Sequence, residues 1–146
     1  MHPGDAPAAR ILIVDDDSTL LKFFKIHLNK IYSKVIVVAN GKEAMATVKE
    51  KKIDLVLSDI RMPGVDGLDL LAKIKRFNAA IPVVLISGAM LDAEQEKFCE
   101  ENADGFLKKP FNVDDLHAMI EHNLQKRQNL IRLEQFCKTA KSFKDL

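Results

Sequence analysis

Short apolar runs alternate with longer amphipathic segments along most of the chain. The runs are rich in Val, Ile and Leu and occupy residues 11–14, 35–38, 55–57, 82–86 and 106–107. Four segments with apolar residues at helical spacing lie between them, at residues 18–30, 41–51, 67–77 and 91–103. Brief continuous apolar runs are typical of parallel strands buried on both faces. The pattern therefore predicts an α/β fold with a doubly wound, five-stranded parallel sheet.

The third amphipathic segment has the clearest helical period. Its apolar residues recur every three positions and are Leu68, Leu71, Ile74 and Phe77. A mixed α+β fold is the alternative, but it would require the regular alternation of strands and helices to be accidental.

Composition narrows the class of protein. The 146 residues are 47% hydrophobic and 29% charged, which is typical of one globular domain. The formal net charge of +1 shows no overall basic excess of the kind that marks nucleic-acid-binding proteins. Cys99 and Cys137 lack a CxxC spacing, and the apolar runs are far shorter than the ~18 residues of a membrane span. These features predict a cytoplasmic protein with no membrane segment.

Polar and charged residues follow four of the predicted strands. In sheets of this kind the carboxyl ends of the strands form the ligand-binding edge. The residues that stand there are Asp15, Asp16 and Asp17 after the first strand, Asp59 after the third, Ser87 and Gly88 after the fourth, and Lys108, Lys109 and Pro110 after the fifth. We expect a functional site at this edge.

Crowded carboxylates repel one another unless a cation neutralises them, and Mg²⁺ suits a few oxygen ligands completed by water or phosphate. Asp16, Asp59 and the backbone carbonyl of Arg61 could supply such ligands. Asp59 would then be a nucleophile for a phosphoryl group, with Lys109 and Ser87 stabilising the transferred charge. Simpler roles remain open for single residues: Asp17 is expected to cap a helix and Lys108 to be solvated.

Four segments together carry a resemblance to a known family. They are IVDDD at 13–17, LSDIRMPGVDG at 57–67, VVLISG at 83–88 and GFLKKPF at 105–111. In this order they resemble the receiver domain of two-component response regulators, over residues 10 to about 125. The resemblance implies a flavodoxin-like sheet with strand order 2-1-3-4-5.

The resemblance also implies roles for individual residues. It gives Asp15 and Asp16, with Asp59 and the Arg61 carbonyl, as Mg²⁺ ligands, Asp59 as the phosphoacceptor, Ser87 as the switch hydroxyl, Phe106 as the rotating aromatic, Lys109 as the catalytic lysine, and a cis peptide bond before Pro110. The chain departs from the commonest pattern at two positions. Phe106 replaces a tyrosine, so its hydroxyl is absent, and Gly88 stands where alanine is usual. Neither departure removes a reacting group.

The implied function is a phosphorylation switch in two-component signalling. Such a receiver takes its phosphoryl group from a sensor histidine kinase or a histidine phosphotransfer protein, and catalyses only its own phosphorylation and dephosphorylation. It signals to an output protein or domain through the face formed by the fourth helix, fifth strand and fifth helix. Two alternatives remain: a pseudo-receiver that is never phosphorylated, and a phosphatase of the haloacid dehalogenase class. The latter needs an aspartate where this chain has Arg61.

The two ends of the chain lie outside the predicted receiver. Residues 1–9 are expected to form a flexible leader. The last receiver helix is expected to end near residue 125, and residues 126–146 to form a helical extension or linker. Its apolar stripe consists of Leu130, Leu133, Phe136 or Cys137, Ala140 and Phe143.

Three alternatives remain for the extension: it folds back on the receiver, which is the simplest, it pairs with a second copy in a homodimer, or it leads into an output domain. No nucleic-acid-binding motif is visible in this chain. Lys126, Arg127 and Arg132 are expected to form a solvated face.

Overall fold

The computed structural model describes residues 9–62, 64–88 and 90–144, with side chains up to residue 141. Strands and helices alternate throughout. Their bounds are β1 Arg10–Val14, α1 Ser18–Leu28, β2 Lys34–Val38, α2 Gly41–Glu50, β3 Leu55–Asp59, α3 Gly67–Phe77, β4 Val83–Ser87, α4 Ala93–Asn102, β5 Gly105–Lys108 and α5 Val113–Lys144. Each predicted strand and helix is present, and the ends of the strands and of the first four helices differ from the predicted ones by a few residues.

The five strands form one parallel sheet in the order β2-β1-β3-β4-β5. Val14 at the end of β1 pairs with Val38 of β2 and Ser58 of β3, and Ser87 at the end of β4 pairs with Lys108. The carboxyl ends of the strands are therefore level along one edge of the sheet. The predicted doubly wound α/β fold and its strand order are confirmed.

Each face of the sheet carries its own apolar core. Ile11 and Ile13 of β1 belong to the core shared with α1 and α5, whereas Leu12 and Val14 belong to the core shared with α2, α3 and α4. All four side chains are at most 1% exposed. Successive residues of a strand point to opposite faces, so a strand covered on both sides is apolar at every position.

Side-chain oxygens cap the first four helices. Asp17 Oδ1 accepts hydrogen bonds from the backbone N–H groups of Thr19 at 3.0 Å and Leu20 at 3.3 Å, which confirms its predicted capping role. The caps of the other three helices are Asn40, Asp66 and Asp92. These caps satisfy N–H groups that the first helical turn leaves unpaired.

The predicted stripe of α3 is only partly correct. Leu71 and Ile74 are fully buried, but Phe77, the last residue of the helix, is 49% exposed. Leu70 is also fully buried, because the core-facing surface of α3 is wider than a single row of residues every three positions.

The last helix continues through the whole predicted extension. The extended helix at the carboxyl terminus is confirmed, but the expected end of the receiver helix near residue 125 and the favoured fold-back of the remainder are wrong. Helix α5 runs without a break through Val113–Lys144, 32 residues, and every side chain from 128 to 139 is exposed. The apolar stripe at Leu130, Leu133, Phe136 and Cys137 therefore faces solvent, while the side chain of Phe143 lies outside the described residues.

The prediction that Arg127 lies on a solvated face is wrong. Its side chain is only 11% exposed and forms an ion pair with Asp54, with Nη1 3.0 Å from Oδ1. Lys126 and Arg132 are exposed, in agreement with the prediction.

The predicted leader, residues 1–9, lies outside the described residues except for Ala9, which is 5% exposed beside β1. None of the helices in the described ranges combines the length and the apolar character that a membrane span needs.

Candidate functional site

Three carboxylates converge at the carboxyl edge of the sheet. Asp15 and Asp16 follow β1 directly, and Asp59 is the last residue of β3, the neighbouring strand. One oxygen from each carboxylate lies within 4.8 Å of the others. The order of the strands brings residues more than forty positions apart into one acidic cluster.

Asp15 is the buried member of this cluster, with 3% of its surface exposed. Its Oδ1 accepts a hydrogen bond from the backbone N–H of Asp17 at 2.9 Å, which orients the carboxylate. Burial raises the pKa of Asp15 from 3.8 to about 6, because the charged form loses its contact with water. The negative charges of Asp59 and Asp16 raise it further.

Asp59 is half-buried, and its pKa is also raised, chiefly by burial. The Lys109 ammonium opposes this shift, with Nζ 3.9 Å from Asp59 Oδ1. The backbone N–H groups of Ile60 and Arg61 also favour the charged carboxylate, and the charge of Asp16 acts against it. The site thus holds an excess of negative charge that one lysine only partly balances.

The donor set fits Mg²⁺. All three side chains offer hard carboxylate oxygens, and one oxygen from each lies within 4.8 Å of the others, so they could hold this ion together. A divalent cation would also remove the mutual repulsion that raises the pKa values of Asp15 and Asp59. The carbonyl of Arg61 was predicted as a further ligand. Arg61 follows Asp59 by two residues and is exposed, between the buried Ile60 and Met62.

Ser87 and Lys109 stand at the ends of the next two strands. Ser87 is 1% exposed, and its carbonyl accepts a hydrogen bond from the Lys109 backbone N–H at 2.9 Å. A Cβ on Gly88 would lie 3.4 Å from the Lys109 side chain, so the lysine stem passes directly over this glycine. The peptide bond between Lys109 and Pro110 is cis. Lys108 is exposed, as predicted.

Phe106 lies apart from the acidic cluster. It is 38% exposed and lines a cavity of about 480 Å³ between α4 and β5, together with Met90, Leu91 and Cys99. Its strand partner is Leu85, two residues before Ser87. The predicted switch aromatic is therefore on the surface, one strand away from the predicted switch hydroxyl.

A family comparison decides what kind of domain this is. The family described as "Response regulator receiver domain" matches residues 11–121, which is most of the chain. The chain belongs to the response regulator receiver family. Receiver domains are signalling modules of two-component systems rather than conventional enzymes.

Curated relatives of this receiver are longer proteins. "Transcription factor SKN7" of Candida albicans is 33% identical over 124 residues, which cover 84% of this chain and 22% of that protein. "DNA-binding response regulator MtrA" of Mycolicibacterium smegmatis is 30% identical over 125 residues, covering 86% of this chain and 54% of that one. The receiver thus spans about a fifth to a half of the length of these relatives.

Solved structures share the receiver fold. A "response regulator receiver domain protein (CheY-like)" from Methanospirillum hungatei has a TM-score of 0.78 at 30% identity, covering 83% of this chain and 97% of that one. A structure titled "adenylate cyclase" from Rhodopirellula baltica has a TM-score of 0.81 at 28% identity, covering 88% and 96%.

Two contributors to the arrangement of this receiver were missed at the level of sequence. A Cβ on Gly67 would collide with the backbone of Asp59 and Ile60, so this glycine allows α3 to begin against the end of β3. The sequence indicated only a turn there. Arg127 joins α5 to Asp54. The sequence did hold one indication of this contact, because the spacing of Arg127 from Leu116 places both residues on the core-facing side of the helix.

The raised pKa of Asp15 predicts a pH dependence of stability in the absence of divalent cations. Between about pH 4 and pH 6 the folded receiver binds more protons at this residue than the unfolded chain, so the free energy of unfolding falls as the pH rises through that window. The Asp15→Asn substitution removes the carboxylate that causes this fall in the free energy of unfolding. Its amide oxygen can still accept the hydrogen bond from the Asp17 N–H. With EDTA at pH 7.5 we expect the variant to be more stable by about 1–2 kcal/mol.

Urea unfolding at several pH values measures this difference. At pH 4 the variant and the natural protein are expected to converge, because Asp15 is then protonated in the folded state. A constant difference across the pH range would contradict the assigned cause.

Proposed function

We propose that this receiver accepts a phosphoryl group on Asp59, from a sensor histidine kinase or a histidine phosphotransfer protein, and passes its state to an output partner. The supporting observation is the convergence at one sheet edge of three carboxylates, with the Lys109 ammonium 3.9 Å from Asp59. A receiver that served only as an interaction module would not need an uncompensated acidic cluster, because such a cluster lowers stability.

The reaction is a phosphoryl transfer between two proteins. An Asp59 carboxylate oxygen attacks phosphorus, the O–P bond forms, and the N–P bond to the donor imidazole breaks as the ring nitrogen takes the electron pair. Lys109 interacts with the oxygens of the transferred group, and the buried Ser87 hydroxyl donates to one of them. Hydrolysis at the same site returns the receiver to its starting state.

Asp15, Asp16, Asp59 and the Arg61 carbonyl would hold Mg²⁺. When bound, the ion supplies positive charge that offsets the charge on the transferred phosphoryl oxygens. The chain's own residues supply the nucleophile, the orienting hydrogen bond from the Asp17 N–H and the ammonium group.

The signal arises because phosphorylation adds nearly two negative charges and three acceptor oxygens at Asp59. Ser87 is drawn towards a phosphoryl oxygen, and Phe106 turns inward from the surface into the space that this movement opens. The face formed by α4, β5 and α5 then presents a different surface to the output partner. The cavity lined by Phe106, Met90 and Leu91 lies on this face and would change shape.

The receiver proper is proposed to comprise residues 10–125, and residues 126–146 to connect it to its output. Two of the relatives are named as a transcription factor and a DNA-binding response regulator. DNA binding is not proposed for the present chain, whose output would be a separate protein or domain. A cytoplasmic location and a possible homodimer stay predictions.

Intact-protein mass spectrometry tests the proposed chemistry. The receiver is incubated with acetyl phosphate or with a phosphorylated histidine phosphotransfer protein, in Mg²⁺ or in EDTA. We expect a gain of one phosphoryl mass that requires Mg²⁺. Borohydride reduction, which converts an acyl phosphate to an alcohol, is expected to mark Asp59. Absence of any gain from both donors would support the pseudo-receiver alternative, and a mark at another residue would reject the assigned site.

Lys109→Ala is expected to slow phosphorylation by about 100-fold, because the transferred charge loses its ammonium partner. Mg²⁺ binding is expected to persist, since the variant retains all three carboxylates and removes a competing positive charge. Lys108→Ala is the matched control, because this neighbouring lysine is exposed and lines the cavity beside Phe106. Rates from quenched time courses distinguish the two; equal rates for both variants would exclude the role given to Lys109.

A further inference from the structure

The most buried residues of helix α5 form a row that ends at a charged residue, with Met119 and Leu124 packed partly against the core beside it. Leu116, Ile120 and Asn123 are at most 1% exposed, and Arg127 is the next residue on the same side of the helix. From residue 128 to 139 every side chain is exposed. Arg127 thus occupies the last position at which α5 touches the rest of the domain, where the preceding pattern would suggest an apolar residue.

The Arg127 guanidinium binds the amino-terminal edge of the sheet, opposite the acidic cluster. Its Nη1 donates to the carbonyl of Ile53 at 2.9 Å and to Asp54 Oδ1 at 3.0 Å. The other oxygen of Asp54 accepts from the Arg10 backbone N–H at 2.8 Å, and the Asp54 N–H donates to the Arg10 carbonyl at 2.9 Å. The Arg127 side chain therefore joins α5 to the residues that precede β3 and, through Asp54, to the start of β1.

This contact is largely shielded from water, with the Arg127 and Asp54 side chains 11% and 24% exposed. Charge-assisted hydrogen bonds in such surroundings are directional and compete less with solvent than bonds on the surface. Beyond Arg127 the helix continues for about 26 Å to Lys144. A tilt of about 10° at Arg127 would displace the far end by about 4–5 Å, so the direction set here governs the whole extension.

The position of this turn of α5 depends on the contact with Asp54, because the neighbouring buried polar atoms do not anchor it. Among the described residues, no protein atom is a hydrogen-bond partner for Arg127 Nε or for Asn123 Oδ1, and both atoms are buried. Buried unpaired polar atoms are destabilising. Apolar packing is weaker at this turn than at Leu116 and Ile120, since Leu124 is only partly buried against the same core.

We propose that Arg127 is a positioning residue that clamps α5 to the amino-terminal edge of the sheet and fixes the direction in which residues 128–144 leave the domain. The clamp acts through the hydrogen bonds to Asp54 and Ile53 rather than through packing. Its contacts lie at the edge of the sheet opposite the acidic cluster.

Distance measurement between two spin labels tests the clamp. One label is attached to Cys137, which is exposed on the extension, and the other to a cysteine introduced at exposed Lys73 on α3. The buried Cys99 is replaced by Ala in every sample. We expect a narrow distance distribution for the otherwise natural chain and a distribution at least twice as wide for Arg127→Ala. An unchanged width would overturn the proposal.

Three further variants separate the clamp from packing and from loss of fold. Arg127→Leu keeps apolar contact but cannot form the hydrogen bonds, so it is expected to broaden the distance distribution as Arg127→Ala does. A narrow distribution in Arg127→Leu would mean that packing suffices and would overturn the proposal. Asp54→Ala breaks the same contact from the sheet side and is expected to broaden it too. Arg132→Ala, on the exposed extension, is the matched control, and equal broadening there would also overturn the proposal.

Circular dichroism and amide hydrogen exchange accompany the distances. The helix beyond residue 127 is expected to remain formed in Arg127→Ala and Asp54→Ala, because the clamp sets the direction of the helix. If the broadening instead follows unfolding of residues 128–144, Arg127 only stabilises the helix and the positioning role is rejected.

Discussion

In the Asp59→Asn variant we expect no phosphoryl transfer together with higher stability in EDTA. The amide cannot act as the nucleophile, so the gain in mass should be lost completely. The same change removes one of three carboxylates that lie within 4.8 Å of one another, and burial already raises the pKa of Asp59 in the natural protein. Relief of this repulsion should raise the melting temperature by about 3 °C for each kcal/mol gained.

Mg²⁺ should reverse the order of stability. The natural receiver gains about 2.7 kcal/mol at a Mg²⁺ concentration of 100 times the dissociation constant, whereas the variant gains less because it has lost a ligand. Melting temperatures in EDTA and in Mg²⁺ measure both effects. Asp69→Asn, an exposed residue in the first turn of α3, is the matched change in charge outside the cluster. If Mg²⁺ changes the melting temperatures of Asp59→Asn and Asp69→Asn by the same amount, the three carboxylates do not form a cation site.

Gly67→Ala is expected to be the most destabilising of the small substitutions near the site. The added Cβ would lie 2.7 Å from Ile60 Cα and even closer to the Asp59 carbonyl oxygen. Both atoms belong to the backbone, so a side-chain rotation cannot relieve the collision. The Gly67 N–H also donates to the Ile60 carbonyl at 2.7 Å, and that bond must lengthen. We expect a loss of about 3 kcal/mol in the free energy of unfolding.

The displacement should also reach the cation site, because β3 ends at Asp59. Titration with Mg²⁺ is expected to show weaker binding in Gly67→Ala. Gly64→Ala is the matched control: Gly64 has a φ of 79°, but a Cβ there has no atom within 4 Å. It should cost about 1 kcal/mol through backbone strain alone and leave Mg²⁺ binding unchanged. Equal losses in the two variants would mean that the close approach of α3 has no special role.

The sheet was predictable because its strands are buried on both faces. The runs containing Ile11 to Val14 and Val83 to Ile86 have no polar position, which is typical of strands in a parallel sheet covered on both faces. The acidic cluster was predictable for a related reason, since parallel strands bring their carboxyl ends to one edge whatever the distance along the chain. Strand order entered through the resemblance and not through the apolar pattern.

The unpredicted features depend on tertiary contact. Nothing local distinguishes Gly67 from an ordinary turn glycine, because its role depends on how closely α3 approaches the end of β3. Arg127 follows Lys126 in a charged stretch, which suggested solvent exposure. Its burial depends on Asp54, which is 73 positions away. The helical extension was expected, but its unbroken continuity with α5 was not. A helix that continues beyond its packed part keeps its backbone hydrogen bonds, so nothing requires a break where the receiver ends.

The course of α5 separates the acidic cluster from the extension, which lie at opposite edges of the sheet. The helix begins after β5, on the side of the acidic cluster, and crosses the sheet to leave beyond Arg127 at the other edge. A phosphodonor that docks over Asp59 and a protein that binds along residues 128–144 therefore do not compete for space. The fold permits a ternary complex, in which the receiver could be charged while it remains attached to its target.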